Sequence, residues 1–298
     1  MGGQPKKYSL AELEVKADEI RIDIIKMLEA AGSGHSAGPL GLADIFTALY
    51  FEVLKHDHND PDWPERDLLI LSNGHCVPVR YAAMAHAGYF PRQELLTLRK
   101  LGSRLQGHPE RLRLPGLETT SGPLGSGLSQ AIGMALGLRM DKFDHRQVYV
   151  VMSDGELDEG NSWEGAMLAA KYRLANLTAI VDRNNIQIDG PTEVVMPLEN
   201  LKAKWEAFGW HVLEIDGNNI TAVIDACHEA KAIVEKPVVI IAHTIPGKGV
   251  DFMEADFHWH GLTPGSKDIP GAPPKAEQVK KALNELRTLK GRIRSEHE

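Results

Sequence analysis

Asp154 and Asn184 are the residues whose setting first invites a chemical reading. Each follows a short apolar run, residues 148–152 before the first and 177–181 before the second, so each is expected at the tip of a buried strand. A carboxylate and an amide oxygen are hard donors of the kind Mg²⁺ prefers, and a main-chain carbonyl nearby would add a third. Magnesium keeps its other positions for water and for the phosphates of a ligand. Electrostatics explains why a metal belongs there. Two unit charges about 4 Å apart interact by roughly 4 kcal/mol near a protein surface, so Asp154 facing a bare diphosphate would repel it. A divalent cation reverses the sign. Taken alone, an Asp-Gly pair that caps a helix and an Asn-Asn pair that shapes a turn account for the same residues.

Four histidines lie in glycine-containing loops: His35 after Gly34, His75 after Gly74, His108 after Gly107, and His260 before Gly261. If the fold brings these loops to one rim, they supply hydrogen-bond donors able to exchange protons near neutral pH. His56, His58, His86, His145, His211 and His228 have no comparable setting and read as structural or solvated. No Gly-x-Gly-x-x-Gly follows a strand and there is no Walker loop, which disfavours two common nucleotide sites. Neither Cys76 nor Cys227 sits in an activated motif. Standing far apart, they read as buried or half-buried thiols rather than as a disulfide or a zinc site.

The elements that must position these groups follow from periodicity. Ser9-x-x-Glu12 is a capping box ahead of Leu13, Ala17, Ile20, Ile24, Met27 and Ala31, a helix ending at Gly32. A glycine-rich loop carrying His35 leads to a second helix from about 40 to 54. A short strand at 68–71 ends in Ser72-Asn73-Gly74-His75, and a helix follows near 79–88. A long loop carries Gly102-Ser-Arg104, Gly107-His-Pro109 and Thr120-Ser-Gly122-Pro-Leu124-Gly125, a length uncommon in a compact domain without a function. The backbone N–H groups ahead of the helix at 128–140 would suit an anion or polar ring, or mark a plain helix start. From 148 onward, strands at 148–152, 177–181, 212–215 and 237–242 alternate with helices near 161–174, 198–208 and 219–235. The fold class is therefore α/β, a mostly parallel sheet buried on both faces, with ligands expected beyond the strand C-termini. Residues 1–265 read as one domain, and 266–298 as a linker and a C-terminal surface helix with Val279, Leu283, Leu286 and Ile293 on its apolar side.

The 298 residues are 43% apolar, enough for a large core. The net charge of −8, with scattered Lys and Arg, argues against nucleic acid. No apolar run reaches the roughly 20 residues of a membrane span, and the first residues lack a secretory core. A cytoplasmic protein is the expectation.

Ser153-Asp-Gly-Glu156 followed by Asn184-Asn185 resembles the thiamine diphosphate motif, usually written Gly-Asp-Gly to Asn-Asn. Gly34-His35 with Gly38-Pro-Leu-Gly41, Ser72-Asn-Gly-His75, Gly107-His-Pro-Glu110, Thr120-Ser-Gly-Pro-Leu-Gly125, Asn184-Asn-Ile-Gln-Ile-Asp-Gly190 and His260-Gly261 resemble the N-terminal part of transketolase, in family order. The resemblance implies a thiamine diphosphate-binding fold in which Asp154, Asn184 and the carbonyl of Ile186 hold Mg²⁺, with Ca²⁺ or Mn²⁺ as alternatives. It places Gly122, Leu124, Gly155 and Glu156 at the cofactor, with Gly155 letting the diphosphate approach. His75 and His260 would serve the diphosphate and reaction centre, His35 would join proton transfer, and His108 would bind the donor's hydroxyls. Ser153 stands for the first glycine and Arg183 for a frequent acid; His258 competes with His260 for its role.

Full transketolases carry a further, pyrimidine-binding domain whose glutamate activates the cofactor. Glu159 matches an interfacial acid that contacts that glutamate, not the glutamate itself. The resemblance therefore implies the N-terminal subunit of a split transketolase. A C-terminal partner would carry the pyrimidine domain in an α2β2 assembly, with sugar phosphates as substrates. The α subunit of a 2-oxo acid dehydrogenase and a non-catalytic cofactor-binding paralogue are the alternatives.

Overall fold

A computed structural model describes residues 8–297, with side-chain surroundings through Arg287. Its centre is a five-stranded parallel sheet of β1 (Leu68–Leu71), β2 (Val148–Ser153), β3 (Leu177–Arg183), β6 (His211–Asp216) and β7 (Val238–His243), in the order β1-β2-β3-β7-β6. β4 (Ile186–Gln187) and β5 (Gly190–Pro191) form a separate antiparallel pair just beyond the tip of β3. The strand residues alternate between two cores, as the two-residue pleat requires. On β2, Tyr149 and Val151 face one core, while Val148, Val150 and Met152 face the other. On β7, Val238, Ile240 and Ala242 oppose Val239 and Ile241 in the same way.

The first core is covered by α1 (Leu10–Ala31), α2 (Ala37–Gly41), α3 (Ala43–Ala48), α4 (Val77–His86), α9 (Ile220–Ala232) and α10 (Lys275–His297). The second is covered by α5 (Gly127–Met140), α6 (Gly160–Tyr172) and α8 (Leu201–Ala207). α1 begins with the expected capping box, the Ser9 and Glu12 side chains each bonded to the other's backbone, and ends at Gly32 with φ 66. A cap of this kind stabilises a helix by about 1 kcal/mol. α10 packs on α1 and buries Ala282 and Leu286 in the first core. Ile293 lies outside the described side chains. Both cysteines are buried thiols, as expected.

Three boundaries differ from expectation. The second helix starts at Ala37 rather than about 40, with Pro39 inside its first turn, where a missing N–H costs nothing. It then runs through α3 into a wider turn at Leu49–Val53. The helix expected at 198–208 is α8, which begins only at Leu201 because the Asn200 side chain accepts from Ala203 N, and a short helix that was not expected, α7 (Thr192–Val195), precedes it.

The long loop is anchored by a buried ion network. Glu118 accepts from Arg66 Nη1 at 2.5 Å and from Arg80 Nη2, and the Arg80 side chain is fully buried. Burial pushes the Glu118 carboxyl up, but Arg80 and Arg66 outweigh it and hold it below the ordinary 4.5. Removing one member of a buried pair leaves an uncompensated charge. Glu118→Gln is expected to destabilise the chain by about 3 kcal/mol or more, read as a lower urea midpoint above pH 4.5. Because the folded carboxyl is depressed, the wild-type advantage shrinks as pH falls below that value.

Candidate active site

β2 and β3 pair in parallel with Ser153 opposite Asp182, so their next residues emerge side by side at one edge of the sheet. Asp154 is fully buried there. Its Oδ2 accepts from Asn185 N at 2.8 Å, Arg183 Nη1 at 3.0 Å and Thr192 Oγ1 at 3.3 Å. Among the described residues, Oδ1 accepts only from Gly155 N, at 2.7 Å, which leaves it lone-pair capacity for a further partner. Asn184 Oδ1 accepts from Ile186 N at 3.0 Å, and its amide donates to Asp182 Oδ2 at 2.8 Å. Asn185, at φ 62, makes the left-handed turn between Asn184 and Ile186, a conformation asparagine tolerates.

Three carboxyls are buried at these tips. Burial raises Asp154 despite Arg183 and the backbone donors, raises Glu156, and pushes Asp182 up to about 7, with Asp154 adding repulsion. Arg183 is the cation paired with Asp154, and its other nitrogen donates to Glu193 at 2.5 Å and Glu199 at 2.8 Å. The site thus already draws a positive group onto the carboxylate expected to hold a metal. Carboxylate, amide oxygen and carbonyl form a hard donor set that fits a divalent cation. Among the described residues no cluster of three or more His, Cys, Asp and Glu could hold a metal alone, so a ligand's own oxygens would complete the shell.

Glu156 is placed differently from a ligand contact. Its Oε1 accepts from Ser72 Oγ and from Gly125 N at 2.7 Å, and Oε2 from Ser153 N at 3.3 Å. One carboxylate thereby ties together the tips of β1 and β2 and the glycine-rich turn before α5. Gly127 N is likewise taken, by Ser72 Oγ at 3.0 Å. The N–H groups of Gly125 and Gly127 therefore serve the protein, and the anion-binding reading of that turn does not hold for them. Gly122 and Leu124 stand on the accessible part of the same loop, Leu124 exposed.

The histidine loops converge. Ring centroids of His35, His75 and His260 form a triangle of 4.8, 5.2 and 5.7 Å sides. His108, exposed, lies against Gly74 and Gly122, where added Cβ atoms would stand 3.1 and 3.8 Å from its Cδ2. Burial, and for His35 also the charges of His260, Arg99 and His108, pushes His35 down to about 3; His75 and His260 are lowered too, chiefly by burial. Lowering favours the neutral form of all three rings. His35 Nδ1 and His260 Nδ1 are buried without a partner among the described residues, as are both side-chain polar atoms of Asn73, Ser121 Oγ and Thr263 Oγ1. Buried polar atoms are normally bonded, so this cluster fits a polar ligand. His258 instead stacks on Phe257 and bonds Asp256 at 2.6 Å, which leaves His260 as the member of the triangle.

Of the other histidines, His56 bonds Tyr50 and Tyr89, His86 bonds Asp23, and His145 bonds Glu65. Residues Gly34 to Gly38 also spell the Gly-x-Ser-x-Gly of a nucleophile elbow. Ser36, however, follows a helix rather than a strand, is fully buried, and lies within bonding distance of the carbonyls of Trp259 and Leu262. Asp182, Asn73, Ser121 and Thr263 had no role assigned from sequence. Asp182 carried a signal as an acid closing an apolar run, and Asn73 and Ser121 lie within the motifs quoted above, whereas Thr263 carried none.

A base held neutral by burial stabilises the fold above its ordinary pKa, and that contribution fades as pH falls toward the depressed value. For His35 the window runs from 6.5 to about 3. His35→Gln is expected to flatten the fall of the urea midpoint across that window, measured against wild type at matched pH.

The family model described as "Transketolase, thiamine diphosphate binding domain" matches residues 13–282. The 6-deoxy-6-sulfo-D-fructose transketolase subunit of Clostridium sp. (strain MSTE9) is 43% identical over 84% of this chain and 91% of its own length. An apulose-4-phosphate transketolase subunit of Phocaeicola vulgatus is 39% identical over 92% of this chain and 93% of its own. The crystal structure of transketolase from Campylobacter jejuni superposes with a TM-score of 0.80 at 30% identity, covering 97% of this chain. This chain spans 48% of that one, so it matches subunits nearly end to end and the longer enzyme over about half. With its parallel sheet, converging histidines and Asp154–Asn184 strand tips, the chain belongs to the transketolase family, as a match to its thiamine diphosphate-binding domain.

Proposed function

We propose that this chain is the N-terminal subunit of a split transketolase, binding the diphosphate end of thiamine diphosphate with Mg²⁺. The observation that carries the reading is the pairing of two half-sites at one sheet edge. One is the hard-donor tip of Asp154 and Asn184, and the other is the triangle of neutral imidazoles with unpartnered polar atoms. When bound, the cofactor supplies the electron sink for breaking and making a carbon–carbon bond beside a carbonyl.

Asp154 Oδ1, Asn184 Oδ1 and the Ile186 carbonyl are the proposed metal donors, and Gly155, Gly122 and Leu124 the cofactor contacts. Glu156 acts one step back, by fixing Gly125 and Ser153. His35 and His260, each with an unpartnered Nδ1, hold and move protons at those atoms. His75 supports the diphosphate side, and His108, at the open edge, receives the donor's hydroxyls. Neutral rings suit these tasks, since an imidazole that is already protonated cannot accept a proton.

A partner chain carrying the pyrimidine-binding domain completes the site, in an α2β2 assembly. Both relatives above are named as subunits, which supports that arrangement. Their names also describe acidic ketoses, one a sulfonate and one a phosphate, consistent with an anionic ketose as donor here. The transketolase relatives weigh against a 2-oxo acid dehydrogenase, and assaying ketol transfer beside pyruvate decarboxylation separates the two.

The decisive experiment reconstitutes the chain with its C-terminal partner. Asp154→Ala and Asn184→Ala are each expected to weaken Mg²⁺-dependent thiamine diphosphate binding by at least about 10-fold in calorimetry, the effect of losing one well-placed ligand interaction. Cofactor binding unchanged in both variants would remove the metal assignment. Absence of ketol transfer with any candidate partner would favour the non-catalytic reading.

A further inference from the structure

Arg99 lies between the loops that carry His35 and His108: its guanidinium rests on Gly107, and its Nε lies near Gly34. A Cβ on Gly107 would stand 2.8, 2.9 and 3.1 Å from its Nε, Cζ and Nη2, and one on Gly34 would stand 3.8 Å from its Nε. Three atoms of one planar group at such similar distances place the plate against the Gly107 backbone, an approach open only to a residue without a side chain. Nη1 reaches Ser33 Oγ at 3.5 Å, tying the same group to the His35 loop.

The backbone of Arg99 is itself strained, at φ 60, with its N–H donating to Leu105 O at 2.9 Å. Non-glycine residues held in the left-handed region concentrate where function fixes a geometry. No salt bridge to Arg99 occurs among the described residues, and burial lowers its pKa. With His108, Ser33, Thr120 and Ser121 it lines a groove of about 610 Å³ that opens beside the histidine triangle.

We propose that Arg99 is a positioning residue: packed flat on Gly107 and reaching the Ser33–Gly34 turn, its guanidinium fixes the separation of the His35 and His108 loops across the mouth of the site. The groups facing these rings are His75, His260, His108 and Arg99 for His35, and Arg99, His35 and His75 for His108. The charge of Arg99 opposes protonation of both, in addition to burial. The consequence for catalysis rests on the transketolase reading above, whereas the wedge itself does not.

The test is long-range proton–nitrogen NMR of the histidine rings in the full chain, as wild type, Arg99→Met, Gly107→Ala and the double variant. Gly107 is not in the left-handed region, so an added methyl displaces the guanidinium without straining the backbone. Each single change is expected to move the His35 and His108 ring signals and leave that of His145, paired with Glu65, in place. Arg99→Met also raises the His108 titration midpoint toward 6.5, because a neighbouring positive charge is gone. Arg99→Lys restores that midpoint but not the ring positions, since the point charge returns without the plate.

Two groups acting through one contact are not additive, so the double variant shifts the rings no further than Arg99→Met alone. Unmoved His35 and His108 signals in folded Arg99→Met, or additive shifts in the double variant, would overturn the wedge. In the reconstituted enzyme, Arg99→Met lowers kcat by about 10- to 100-fold, the penalty for misplacing reacting groups by an ångström or less, while cofactor affinity is unchanged. Full ketol transfer by His108→Gln would instead refute the role given to that histidine and leave the NMR result standing.

Discussion

The parallel pairing of β2 with β3 is the constraint on which the site depends. It sets Ser153 opposite Asp182, and from that register Asp154, Glu156 and Asp182 are gathered in a region closed to water. Burying acids is costly unless they are bonded or paired. The chain meets the cost in three ways: backbone and hydroxyl donors on Glu156, Arg183 on Asp154, and a carboxyl at Asp182 that keeps its proton more readily than usual. The negative charge left at this edge is what a cation of the proposed kind would meet.

The histidines follow a different logic. Their loops come from three parts of the chain: the end of α1, the start of α4 and the segment after β7. Close packing of the rings removes water, and loss of hydration rather than a partner charge is the main influence that keeps them neutral. A cluster of unpartnered polar atoms is a liability for folding alone. The alternating double core and the Arg66–Glu118–Arg80 network secure the elements around it.

Much of this was legible in the sequence wherever the signal is local. The capping box of α1, the apolar runs of β2, β3 and β7, and the polar residues closing them are patterns within a few residues. They place Asp154 and Asn184 correctly at strand tips. Pro39 misleads because a proline in a first turn looks like a loop residue out of context, and Asn200 because a capping asparagine is easily counted within the helix it starts. The fate of the Gly125 and Gly127 N–H groups could not be read at all, since their acceptors, Glu156 and Ser72, are remote in the chain. The same holds for Arg99, whose meaning depends on two glycines that only the fold brings together.

The alternation of the strands between two cores has a consequence for modularity. The histidine loops and their anchors, Leu28, Cys76, Val77 and Trp259, belong to one layer, while Leu128, Ala166 and Trp205 belong to the other. Residues separated by a sheet share few direct contacts, so changes in the two layers combine almost independently. Changes on the outer face of α5, α6 and α8 are therefore expected to leave the histidine loops in place, except at the start of α5, which Gly127 N ties to Ser72 Oγ. One sheet thus separates the histidine loops from the outer face of the second layer.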